Sequence, residues 1–114
     1  VADDRLVRAE VSFGFPTDVR ILLASDSVEA MKLMGDLTPD VVIVDIRSGN
    51  AGGFSLSRDM SQTDRLRAVP ILMLLERKQD EWLAQQAGAT GWALKPIETS
   101  ELVGQTLDLI AAPA

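Results

Sequence analysis

The chain has 114 residues, 46% of them hydrophobic and 25% charged, an ordinary globular mixture that suits one domain spanning 1–114 with its own core. It contains no Cys and no His, which excludes a thiol nucleophile, a Cys/His zinc site, a Ser/His/Asp triad and an imidazole base. With 11 basic against 17 acidic residues and a net charge of −6, it offers no basic stripe for a nucleic-acid backbone, so any chemistry must use carboxylate, hydroxyl or lysine.

The chain opens Val1-Ala2-Asp3-Asp4, a strand stub followed by an acidic pair. Arg5 to Phe13 reads as a helix with Leu6, Val7, Ala9, Val11 and Phe13 as its apolar positions. Val19-Arg20-Ile21-Leu22-Leu23-Ala24 is strand-sized. Asp26, three residues before Glu29, is a capping-box-like start to a helix carrying Val28, Met31, Leu33, Met34 and Leu37, which Thr38-Pro39-Asp40 closes. The run Val41-Val42-Ile43-Val44 and the run Ile71-Leu72-Met73-Leu74-Leu75 are apolar at every position, as in strands covered on both faces of a parallel sheet. Between them Phe54, Leu56 and Met60 recur at near-helical spacing after a turn containing Gly52-Gly53. Leu83, Ala84 and Ala87 share a helix face that Gly88 can cap. Trp92-Ala93-Leu94 is a last short strand. Thr99 or Ser100 can start a final helix with Leu102, Val103, Leu107 and Ile110 as its stripe.

This alternation of strand and helix is that of a doubly wound α/β sheet with right-handed crossovers. The apolar runs fall far short of the ~20 residues of a membrane span. No signal-peptide pattern is visible at the start, so a cytoplasmic location is expected. The glycine-rich Gly49-Asn50-Ala51-Gly52-Gly53 lacks the Walker lysine and the dinucleotide spacing, and sharp turns account for its glycines.

In such sheets ligands collect at the carboxyl ends of the strands. Asp45 ends the run that begins at Val41, Lys95 follows Leu94, and Asp3-Asp4 follows the opening stub. Singly, an Asp after a strand is a turn former and a Lys-Pro pair a solvated loop. Together, three carboxylates and a lysine at one sheet edge suit phosphoryl chemistry. Paired carboxylates are hard oxygen ligands for Mg²⁺. A third can be a nucleophile, and a metal with an ammonium group can neutralise the transferring phosphoryl oxygens.

Pro39-Asp40-Val41-Val42-Ile43-Val44-Asp45, the later Gly53, Val69-Pro70-Ile71-Leu72-Met73-Leu74, and Gly88-Ala89 with Lys95-Pro96 make the chain resemble, over essentially its whole length, the receiver domain of two-component response regulators. The resemblance implies a flavodoxin-like, five-stranded parallel sheet of order 2-1-3-4-5, its first strand reduced to Val1-Ala2. It also implies a signalling module rather than an enzyme, taking a phosphoryl group from a sensor histidine kinase in a Mg²⁺-dependent phosphorelay step. Asp45 falls on the phosphoacceptor and Lys95 on the phosphoryl-contacting lysine, with a cis Lys95-Pro96 bond. Asp3 and Asp4 fall on the metal-binding pair, and Arg47 where the family uses a backbone carbonyl as a metal ligand.

The chain departs from the family in several places. The switch hydroxyl is replaced by Leu75, followed by Glu76, while Trp92 takes the place of the aromatic switch residue. Ser48-Gly49 stands for the usual Met-Pro, and Gly52 for an acidic residue. Leu75 lacks the donor that would draw a phosphoryl oxygen, so weak coupling between Asp45 and the Trp92 face is expected. This favours an alternative: a receiver-like interaction or dimerisation module that works without phosphorylation. Trp82 and Trp92 read either as core residues or as anchors of a homodimer or partner face.

Overall fold

The structure, a computed structural model, describes residues 1–2, 5–46 and 52–111. Among these, helices and strands alternate as α1 (Arg5–Gly14), α2 (Ser27–Leu33), β1 (Val42–Asp45), α3 (Gly52–Ser61), β2 (Ile71–Leu75), α4 (Asp80–Gln86), β3 (Gly91–Leu94) and α5 (Thr99–Ala111). The strands form one parallel sheet in the order β1-β2-β3. Val42 pairs with Ile71 and Asp45 with Leu74, while Leu72 pairs with Gly91 and Leu75 with Leu94. Each crossover carries a helix, as parallel pairing requires.

The all-apolar sequence of β2 has its reason in this position, because both of its faces are covered. Ile71, Met73 and Leu75 join Ala30 and Met34 of α2, Leu56 and Met60 of α3, and Ala84 of α4 in one core. Leu72 and Leu74 face the other way onto Ile97 and Leu102, with Val11 of α1 and Leu109 of α5 against them. All five residues of β2 are buried. The sheet is therefore a wall between two apolar layers.

Two expectations need correction. Residues 19–24 form no strand. The Ala2 N–H donates to the Ala24 carbonyl at 2.9 Å, and the Asp45 N–H donates to the Val1 carbonyl at 2.8 Å. The Val1 amine donates to the Ile43 carbonyl. The opening residues thus lie between β1 and Ala24, where the first strand was expected. Among the described residues Ala24 receives this one backbone bond and Ile21, Leu22 and Leu23 receive none, so the successive bonds of a ladder are not made there. Leu22 and Leu23 are left exposed.

Helix α2 also ends earlier than its apolar spacing suggests, at Leu33 with Met34 as C-cap. Gly35 and Asp36 are poor helix formers, and Arg65 satisfies the carbonyls left open beyond the end. Its guanidinium donates to the carbonyls of Met34 and Leu37 and to Thr38 Oγ1. At the start of α2 the Asp26 side chain accepts from the Glu29 N–H at 2.8 Å, as expected. The Glu29 carboxylate reaches back to the Ser25 N–H instead of that of Asp26. Gly88 has φ of +90°, the left-handed cap its position after α4 called for. On α1, Val11 reaches the core but Phe13 is exposed; on α5, Leu102 and Thr106 are buried while Ile110 is exposed.

Candidate functional site

Asp45 is the last residue of β1, next to the fully buried Val44. Alternation would leave it a rim residue, yet it is only 2% exposed. A carboxylate so far from water needs a partner. Lys95, just beyond β3, supplies one: its Nζ donates to Asp45 Oδ2 at 2.8 Å. The backbone fixes this meeting, since the Lys95 N–H donates to the Leu75 carbonyl at 2.7 Å and carries the register of β2 and β3 one residue past the sheet. The Lys95-Pro96 peptide is cis, as expected.

Lys95 serves a second carboxylate. Glu76 Oε1 lies 3.6 Å from Nζ, and the Glu76 side chain is 36% exposed against 16% for Lys95. One ammonium thus bridges a buried acid on the inside and an exposed acid on the rim. Glu76 entered the sequence reading only as the residue after Leu75. Nothing in its type or spacing marks it, and only the side-by-side strand ends bring it to Lys95.

Two further groups were not legible in the sequence. Arg8 Nη1 donates to the Ala2 carbonyl at 2.9 Å and to Ser25 Oγ at 3.1 Å, pinning the segment that leads into the acidic pair. The Val1 amine is drawn down from 8.0 to about 6 by burial, with the Asp45 charge acting in the opposite direction and Arg8 reinforcing the fall.

Asp3, Asp4 and Arg47, expected at the metal site, lie outside the described residues, as does the loop containing Ser48 and Gly49. Among the described residues no three acidic, His or Cys side chains gather around a point that could hold a metal. The donor chemistry fits Mg²⁺ in kind: Asp45 offers hard carboxylate oxygens, and Asp3 is the next residue after the anchored Ala2.

Leu75 is fully buried, in the same core cluster against which the half-buried Trp92 packs. Trp82 on α4 is 64% exposed, and Leu83 and Leu94 are exposed as well. Trp92 is therefore partly a core residue, and Trp82 is a surface one.

The comparisons with known proteins identify the family and the fold. The family model of the response regulator receiver domain matches residues 1–106. Response regulator MprA of Mycobacterium sp. (strain KMS) is 31% identical over 114 residues, covering 96% of this chain and 48% of the relative; the chain spans about half the length of such curated relatives. A crystal structure of a protein from Chloroflexus aurantiacus J-10-fl superposes with a TM-score of 0.92 at 25% identity, covering 98% of this chain and 94% of that one. The receiver domain of sensor histidine kinase PA1611 from Pseudomonas aeruginosa PAO1, described with a magnesium ion coordinated in its active site cleft, has a TM-score of 0.80 at 23% identity, with coverage of 94% and 87%. With a buried, lysine-paired aspartate at the end of the first described strand and a family match over nearly its whole length, this chain belongs to the response regulator receiver domains of two-component systems.

Proposed function

We propose that Asp45 accepts a phosphoryl group from a sensor histidine kinase. The observation that carries this reading is the 2.8 Å contact between Lys95 Nζ and an aspartate that is 2% exposed. An Asp45 oxygen attacks phosphorus in line; the new O–P bond forms as the bond to the donor nitrogen breaks, and the nitrogen keeps the electron pair. Lys95, already beside the nucleophile, turns to a phosphoryl oxygen and stabilises the charge gathering there without reorganising the backbone. Asp3, Asp4, Asp45 and the backbone carbonyl of Arg47 are the residues that would hold Mg²⁺. When bound, the ion supplies charge neutralisation for the phosphoryl oxygens.

The finer architecture belongs to the same proposal: a five-stranded order 2-1-3-4-5 with Val1-Ala2 as the first strand, supported by their bonds to Ala24, Ile43 and Asp45. So does a homodimer or partner face carrying Trp82 and Trp92, supported by the exposure of Trp82, Leu83 and Leu94. A second reading, a phosphorylation-independent interaction module, is favoured by one observation. Leu75 presents a fully buried hydrocarbon where a switch hydroxyl would stand. Incubation with acetyl phosphate and Mg²⁺ followed by intact mass decides between them. Wild type gaining one phosphoryl mass that Asp45→Asn does not gain supports acceptance at Asp45; no gain in wild type leaves the interaction module.

A further inference from the structure

We propose that Glu76 is a built-in anionic competitor at the phosphoacceptor site, holding Lys95 toward the rim and opposing the arrival of negative charge on Asp45. The proposal rests on the reading of Asp45 as the acceptor and concerns how readily that site loads.

Glu76 is the first residue after β2 and Lys95 the first after β3. Leu75 and Leu94 are register partners, so the two side chains leave neighbouring strand ends at the same height. Glu76 Oε1 comes to 3.6 Å from Nζ on the exposed side, while Asp45 Oδ2 holds the same ammonium at 2.8 Å on the buried side. Glu76 thus places a second carboxylate on the ammonium that Asp45 already holds. Phosphorylation replaces the single charge of Asp45 with the two charges of an acyl phosphate, so it adds one negative charge on the same ammonium that the Glu76 carboxylate shares. Lys95 must also swing from the carboxylate to a phosphoryl oxygen, and Glu76 attracts it away from that position.

An exposed ion pair of this length contributes little to stability. Its effect on a charge developing a few ångströms away, against the low-dielectric core, is larger and is felt in loading rather than in folding. At 36% exposure Glu76 remains within reach of salt screening. The dependence on ionic strength therefore separates an electrostatic role from a steric one.

The test uses the full chain with acetyl phosphate and Mg²⁺, following intact mass over time for wild type, Glu76→Gln, Glu76→Asp and Asp45→Asn. Glu76→Gln is expected to load roughly three- to tenfold faster than wild type at low salt, with the gap closing toward 1 M NaCl, where the screening length is about 3 Å. Glu76→Asp, which keeps the charge, is expected to stay close to wild type. Thermal melting should be nearly the same in all Glu76 variants, and if Glu76→Gln fails to fold, Glu76→Ala takes its place. Loading by the charge-free variant but not by wild type also supports the proposal. Equal loading of wild type and the charge-free variant overturns it and leaves Asp45 as acceptor; a gap that persists at high salt overturns the electrostatic role. Loading of neither overturns both this inference and the reading it rests on.

Discussion

Replacing Lys95 with Met, which keeps the length of the stem and removes the charge, tests the ion pair as a structural element. At 2.8 Å and an effective dielectric constant of about 20, the gross attraction is roughly 6 kcal/mol, most of it offset by the desolvation of both groups. Removal is asymmetric. Without Lys95, Asp45 stays at 2% exposure and loses the ammonium bonded to it at 2.8 Å; breaking a buried pair from one side typically costs about 3–5 kcal/mol. Asp45→Asn leaves Lys95 with Glu76 at 3.6 Å and 16% contact with water, so its expected cost is at most about 1 kcal/mol. The unfolding entropy of a 114-residue chain is about 0.24 kcal/mol/K at ~2.1 cal/mol/K per residue, so the Lys95→Met loss lowers Tm by roughly 12–20 °C. Urea unfolding of both single variants and the double variant measures the difference. The double variant should be more stable than Lys95→Met alone, because the buried carboxylate that Lys95 held is then removed as well. A Lys95→Met variant within about 1 kcal/mol of wild type, or strictly additive losses, would refute this account of the pair.

Titrating Mg²⁺ to about ten times its Kd should raise stability by ~1.4 kcal/mol, roughly 6 °C in a melt, and Asp45→Asn should lose most of that gain. Wild type treated with phosphodonor should show little change in Trp fluorescence, whereas Leu75→Thr should show a larger change; an equal, large response in wild type would contradict the assignment of Leu75 as the uncoupling residue. In a polypeptide that starts at Val1, the amine titrates at about 6 when folded and 8.0 when unfolded. The unfolded state then binds more protons between these values, so stability rises with pH across that window, by up to about 2–3 kcal/mol, and acetylating Val1 should flatten the slope.

The parallel sheet could be read from the chain because the run Val41–Val44 and β2 are apolar at every position, a pattern that suits strands covered on both faces. Asp45 and Lys95 could be read because each stands at the carboxyl end of an apolar run, and a parallel sheet brings all such ends to one edge, here with β2 between the two strands. Residues 19–24 show the limit of this reasoning. Their side chains suit a strand, but a strand exists only where a neighbour offers successive backbone bonds, and among the described residues Ala24 receives a single one, from Ala2. Glu76 and Arg8 show it from the other side. Their identity carries no signal, and their roles come from the tertiary fold: Glu76 reaches Lys95 because Leu75 pairs with Leu94, and Arg8 of α1 meets the carbonyl of Ala2 and Ser25 Oγ. Periodicity and the chemistry of strand ends determined the layers and pointed to the aspartate and the lysine that meet at the sheet edge. Backbone pairing across the sheet, which depends on distances no local sequence contains, decided which strand forms and which second carboxylate shares the lysine.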